Sequence, residues 1–186
     1  MLWLALSSFV GSSLMTTVPQ TTPSHERIEA QLASLDAPLD LATLSANPQG
    51  ELIAIARDPA EHAFVRQRAV AALSHFVTPE IGIELARLCT STQLAVRTTA
   101  AYVLGRYFSD KMADQVFAAL RPLLADANLS VRTQAARAMS FVHTHDAVSA
   151  LTQRLSFETD PELRELIFYR ARQLQTQIQA LVNRAP

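Results

Sequence analysis

The chain repeats itself: an aliphatic residue followed by Arg, and then by small apolar residues, occurs four times, beginning at residues 65, 96, 131 and 163. The spacings of 31, 35 and 32 residues each leave room for two helices and two turns. A unit of this size cannot bury its apolar side alone, so the copies are expected to stack on one another. The copies read FVRQRAVAAL at 64–73, AVRTTAAYVL at 95–104, SVRTQAARAM at 130–139 and, more divergently, ELRELIFYRA at 162–171.

The residues around the four copies favour helices throughout. Only four Gly occur in 186 residues, and Ala and straight-chain residues, which lose little freedom in a helix, are abundant. Pro and Asp stand near the expected helix starts, where Pro lacks only an unneeded N–H and Asp can cap. The sequence therefore predicts an all-α fold in which helical hairpins follow one helix at 25–35. The first helices of the hairpins are expected at 51–57, 79–88, 111–124 and 146–155.

The repeated pattern Val-Arg-x-x-Ala-Ala-x-x-Leu, with an acidic residue upstream, resembles HEAT repeats, in particular the short-period repeats of phycobilisome-lyase-like proteins. The resemblance covers roughly residues 48–183. It implies a right-handed α-solenoid, or superhelix, of about four HEAT-like helical hairpins with an extra N-terminal helix. Two copies depart from the pattern: Ile167 and Phe168 replace the small pair in the fourth, and Ser91 and Thr92 replace the acidic residue in the second.

The first residues of the chain differ in composition from the repeats. Residues 2–18 are uncharged and mostly apolar, and a stretch rich in Pro and Thr follows them. We interpret residues 1–18 as a hydrophobic signal or membrane-anchor segment, 19–24 as a linker and 25–186 as the HEAT-repeat domain. This interpretation predicts a periplasmic or membrane-anchored protein. No Lys or Arg precedes the apolar run, which leaves a frayed N-terminus on a cytoplasmic protein as the alternative.

Helical periodicity separates a buried arc from an exposed arc in each repeat. Counted from the aliphatic residue, offsets 0, 4, 7 and 8 share one arc and offset 5 lies at its edge. These positions hold small or aliphatic residues, which allow two helices to approach closely. The predicted core residues are Val65, Ala69, Val70, Ala72, Leu73, Val96, Ala100, Ala101, Val103, Leu104, Val131, Ala135, Ala136, Ala138 and Met139.

The Arg at offset 1 lies on the flank of the buried arc in every copy. One interpretation is an anion-binding row, and the other is a structural row that hydrogen-bonds loop carbonyls and the acidic residues Asp58, Asp126 and Asp160. We favour the structural row because a planar group with several donors is suited to tying loops together. The resemblance to HEAT repeats points the same way. These residues, named here the Arg ladder, are Arg66, Arg97, Arg132 and Arg164.

Offsets 6 and 10 face away from the core, on the side of the second helices that usually lines the concave surface of a solenoid. They include aromatic and Arg side chains in successive copies. Because Tyr and Arg dominate interface energetics, we predict that this side binds a protein partner. An ordinary solvated face is the alternative. The predicted partner-binding residues, named here the partner surface, are Tyr102, Arg106, Arg137, Phe141 and Tyr169.

The sequence contains no Gly-rich phosphate loop, no Gly-x-Ser-x-Gly elbow and no Cys-x-x-Cys pair, so we predict neither catalysis nor a cofactor. His143 and His145, next to Asp146, are the best metal candidates. A metal site needs about three or four converging ligands, so we interpret these histidines as turn and capping residues and expect no metal.

Cys89 is interpreted as a buried apolar residue, since a single cysteine forms no disulfide within the chain.

These observations predict a non-enzymatic HEAT-repeat scaffold or adaptor that presents its concave surface to a protein. The resemblance implies one alternative, a lyase-like or chromophore-handling protein. Nucleic-acid binding is not expected, because the formal charge is -1 and the basic residues are not clustered; a nucleic-acid binder of the glycosylase-like helical-repeat type is a further alternative and would require a basic concave face. The long last segment, 161–182, is expected to cap the stack of a monomer, with a coiled-coil dimer helix as the alternative.

Overall fold

The computed structural model describes residues 24–34 and 45–184 of the chain. The predicted segment 1–18 and residues 19–23 of the predicted linker lie outside the described residues, and Ser24 is the first residue of a helix. The described residues form nine α-helices and include no strand. The helices are α1 (Ser24–Ala33), α2 (Pro48–Arg57), α3 (Ala63–Ala72), α4 (Pro79–Leu88), α5 (Leu94–Phe108), α6 (Ala113–Leu120), α7 (Leu129–Met139), α8 (His145–Leu155) and α9 (Pro161–Val182).

Helices α2 to α9 form four consecutive hairpins, and α1 packs against α2 and α3. The second helices α3, α5, α7 and α9 stack in order, each against the next. The first helices form the other layer, in which α4 packs against α6. This arrangement confirms the prediction of an all-α solenoid of about four hairpins preceded by an extra helix.

The helix ends follow local capping chemistry. Asn47, Thr78, Thr144 and Asp160 each accept a hydrogen bond from a backbone N–H in the first turn of the helix that follows them. The single helix predicted at 111–124 was wrong: α6 ends at Leu120, and residues 122–125 form a 3₁₀ turn. Pro122 explains the break, because its ring lacks the N–H that would continue the helix.

The core runs without interruption through the stack. All fifteen predicted core residues are buried, and they belong to one cluster that extends from Ile28 in α1 to Ile178 in α9. The small side chains at these positions bring successive second helices together. At Gly105 the approach is especially close, since an added Cβ would lie 2.7 Å from the carbonyl oxygen of Ala138 on α7.

Cys89, directly after α4, is 1% exposed, as the sequence predicted. Burial raises the pKa of its thiol to about 12, so almost no thiolate is present at neutral pH. We therefore expect Cys89 to react with iodoacetamide much more slowly in the native protein than in the unfolded protein. Mass spectrometry after timed alkylation, with and without denaturant, measures this difference. Equal labelling rates would contradict the burial of Cys89.

Candidate partner-binding surface

The two central residues of the Arg ladder each join three segments. Arg97 at the start of α5 donates to the carbonyl of Ser91, 2.6 Å away, in the loop before its own helix. Its Nε also donates to Oδ2 of Asp126, 2.9 Å away, in the loop of the next repeat. Both side chains are less than one-fifth exposed. Arg97 thus links its own loop to the next one.

Arg132 repeats this arrangement one hairpin later. It donates to the carbonyls of Asp126 and Ala127 in its own loop. Its guanidinium also forms a two-pronged pair with Glu158, with Nε to Oε2 at 2.8 Å and a terminal nitrogen to Oε1 at 3.0 Å. The Glu158 side chain is fully buried and also accepts hydrogen bonds from Arg154. Arg132 holds the pKa of Glu158 down, at about 2, by donating to its charged form.

The first and last residues of the Arg ladder, Arg66 and Arg164, donate to backbone carbonyls and pair with no carboxylate of the described residues. Arg164 donates to the carbonyl of Leu155 at the end of α8 and to that of Glu158 in its own loop, and no described repeat follows it. Arg66 is buried and donates to the carbonyl of Ala56. Ser91, Asp126 and Glu158 occupy equivalent loop positions, because each side chain accepts a hydrogen bond from the backbone N–H two residues later. In the loop that follows Arg66 this position holds Ser91, so it offers no carboxylate to Arg66.

The sequence correctly identified Asp126 as a ladder partner but was wrong about two others. Asp58 accepts the backbone N–H of Ala60, and Asp160 caps α9 by accepting that of Leu163. Glu158, two residues before Asp160, takes the place under Arg132 and was missed. Its distance of 32 residues from Asp126, within the period of the repeats, was the available signal.

The partner surface brings together side chains from the second helices of the last three hairpins. Tyr102 on α5 is 39% exposed and Tyr169 on α9 is 60% exposed. Arg137 on α7, also exposed, lies at the equivalent position between them. Arg106 on α5 and Phe141, just after the end of α7, each lie four residues beyond these positions and meet directly, with the guanidinium carbon of Arg106 5.1 Å from the Phe141 ring centroid. This contact shows that equivalent positions of α5 and α7 are neighbours.

On α9 the surface continues with Phe168 and Arg172, which the sequence did not select. Phe168 is 50% exposed, and the guanidinium of Arg172 lies over its ring at 5.6 Å. These residues and Tyr169 line a shallow depression of about 470 Å³. The earlier repeats carry buried Ala101 and Ala136 where α9 carries Phe168, so its exposure reflects the end of the described stack.

The histidines singled out by the sequence lie at the start of α8. His143 and His145 are exposed, and Thr144 between them caps the helix through the backbone N–H of Ala147. Within residues 24–34 and 45–184, no three His, Cys, Asp or Glu side chains are grouped so that they could hold a metal ion. In the same part of the chain, no helix combines the length and the apolarity needed to cross a membrane.

Residues 85–169, from the end of α4 into α9, match the family model of HEAT repeats. The match identifies this part of the solenoid as HEAT repeats and supports the resemblance seen in the sequence. HEAT repeats generally mediate protein–protein interaction or scaffolding. Comparison with curated proteins gives no match to this chain.

Proposed function

We propose that this HEAT-repeat chain is a non-enzymatic scaffold or adaptor that binds a protein through the partner surface. The observation that carries the proposal is the assembly of exposed aromatic and Arg side chains from three successive second helices, with Arg106 against Phe141. Tyr and Arg supply most of the energy of typical interfaces when a partner buries them. The Arg ladder contributes indirectly, because its loop contacts fix the positions of the helices that carry the surface.

The partner surface differs in kind from the Arg ladder. The ladder guanidiniums donate to loop carbonyls and carboxylates inside the protein, which leaves them little capacity for a ligand. By contrast, Arg137 has a single hydrogen bond to a protein group, to Gln134 at 3.4 Å, in the part of the chain that the structure describes. Its donors face solvent and are available to a partner.

Replacing Tyr102 and Arg137 together by Ala is expected to weaken partner binding by about tenfold or more, because both are exposed side chains of types that dominate interface energetics. Crosslinking followed by pull-down of the full chain identifies the partner, and titration calorimetry with the isolated partner then measures the dissociation constant for wild type and variant. Equal affinities would refute the proposal. The matched control replaces Arg121 and Phe157, an exposed Arg and a 68% exposed aromatic outside the partner surface, by Ala and should leave affinity unchanged.

A further inference from the structure

The two layers of helices differ sharply in charge. The second helices carry nine Arg, two each in α3, α5 and α7 and three in α9. Their acidic residues are Glu162 and Glu165, both near the start of α9. The first helices α2, α4, α6 and α8 instead carry five acidic residues and three Arg. The near-neutral total charge of the chain therefore conceals a basic layer on the side that bears the partner surface.

Five of the nine Arg are used inside the protein. Three ladder residues donate to their own loops, Arg66 donates to the carbonyl of Ala56 at the end of α2, and Arg68 donates to the carbonyl of Ser34. The other four pair with no carboxylate in residues 24–34 and 45–184 and contact aromatic rings or Gln side chains. These four, named here the free arginines, are Arg106, Arg137, Arg170 and Arg172.

Arg170 has one buried N–H donor that makes no hydrogen bond to the described residues. One of its terminal nitrogens donates to Gln173 at 3.2 Å, but its buried Nε has no partner within the described part of the chain. A buried donor without an acceptor costs free energy that an arriving acceptor would recover. Arg170 lies at offset 7 of its repeat, next to Tyr169 on α9, and its charge adds to the positive potential beside the partner surface.

The geometry suits an extended chain that crosses the second helices. Packed helices lie about 8–10 Å apart, and an extended peptide in the polyproline-II conformation advances about 3.1 Å per residue and places every third side chain on the same side. About three residues of such a peptide therefore span one repeat. The crossing from α5 to α9 needs about five to seven residues, with Arg106, Arg137 and Arg172 reached in turn.

We propose that the partner surface binds an acidic, extended protein segment whose carboxylates, about three residues apart, pair with the free arginines. This inference rests on the proposed function and adds the chemistry of the partner. A carboxylate matches the planar donor fork of Arg, and the uncovered aromatic Tyr102 takes an apolar side chain of the segment.

Single-stranded nucleic acid fits the surface less well. Such ligands bind through bases stacked on aromatic faces. Arg106 lies over Phe141, Arg170 over Tyr169 and Arg172 over Phe168, so three of the four rings already have a guanidinium on one face. Four free arginines also offer few phosphate contacts compared with a surface that binds nucleic acid tightly.

The test is a selection of random peptides, about twelve residues long, displayed on phage, against the full chain. We expect the enriched peptides to be acidic, with Asp or Glu recurring about every third position. One enriched peptide is then synthesised together with an analogue in which Asn and Gln replace Asp and Glu. Fluorescence anisotropy should show about tenfold weaker binding of the analogue, and weaker binding of the parent at higher salt.

Two variants separate this inference from the proposed function. Arg106→Gln with Arg137→Gln should weaken the acidic peptide about tenfold, whereas Lys111→Gln with Arg121→Gln removes two charges elsewhere and should not. If neutral peptides are enriched and still require Tyr102, the acidic partner is refuted and the proposed function stands. If binding ignores Tyr102 and Arg137, both fail. A lack of enriched peptides, or tighter binding of single-stranded oligothymidine than of the acidic peptide, also refutes the acidic segment.

Discussion

Replacing Glu158 by Ala is expected to lower the free energy of unfolding by about 3–5 kcal/mol, as removal of one member of a buried ion pair commonly does. The carboxylate accepts two hydrogen bonds from Arg132 and two from Arg154, and the backbone N–H groups of Thr159 and Asp160. Its loss leaves two guanidiniums and two backbone donors without their acceptor. The effect should therefore exceed that of any exposed Glu.

Urea unfolding, followed by circular dichroism at neutral pH, measures the change. Glu165→Ala is the matched control, because Glu165 is exposed on α9 and a surface substitution of this kind changes stability by about 0.5 kcal/mol or less. Similar losses for the two variants would show that Glu158 does not hold the α8 to α9 loop against α7.

The Glu158 carboxylate should also make the free energy of unfolding depend on pH in the acidic range. Because Arg132 lowers the pKa of Glu158 from its usual 4.5 to about 2 in the folded protein, its stabilising contribution is complete above the unfolded value. That contribution is lost as the pH falls from about 4.5 towards 2 and amounts to about 3 kcal/mol. Glu158→Gln should therefore show a shallower loss of stability than wild type over this interval. Parallel curves would contradict the lowered pKa.

The fold could be predicted because the length of the repeat can be read directly from the sequence. Val65, Val96 and Val131 recur with small residues at fixed offsets, and only a stack of helices buries all of them at once. The sequence also contained the signal for the break in the helix predicted at 111–124, since Pro122 lies inside that segment. Local rules of this kind need no knowledge of the neighbouring repeat.

Contacts between repeats were harder to predict. Glu158 and Asp160 are both acidic and lie in the same loop, and the backbone path alone decides that Glu158 faces Arg132 while Asp160 caps α9. The position of Arg106 over Phe141 likewise depends on how far α5 is shifted along α7. Periodicity within one helix gives the face on which a residue lies, but not the partner that it meets.

The close approach of α5 and α7 at Gly105 gives the second large expected effect. Gly105→Ala should lower the free energy of unfolding by about 2–3 kcal/mol, in the range of overpacked cores, although Ala is by itself the better helix former. The added Cβ would lie 2.7 Å from the Cβ and carbonyl oxygen of Ala138 and 2.8 Å from its Cα. Helix α5 must then move away from α7. Thermal and urea unfolding measure the loss.

Two further variants show whether side-chain or backbone atoms limit the approach of α5 to α7. At Gly82 the nearest atoms belong to the side chains of Met112 and Phe108, and Met112 is flexible, so Gly82→Ala should cost less than Gly105→Ala. Adding Ala138→Gly to Gly105→Ala removes one methyl group but leaves the α7 backbone in place, and should not restore stability. Rescue by Ala138→Gly would show that side chains, rather than backbones, set the spacing of the second helices. Since Arg106 lies on α5 and Phe141 directly follows α7, the same separation should also weaken partner binding.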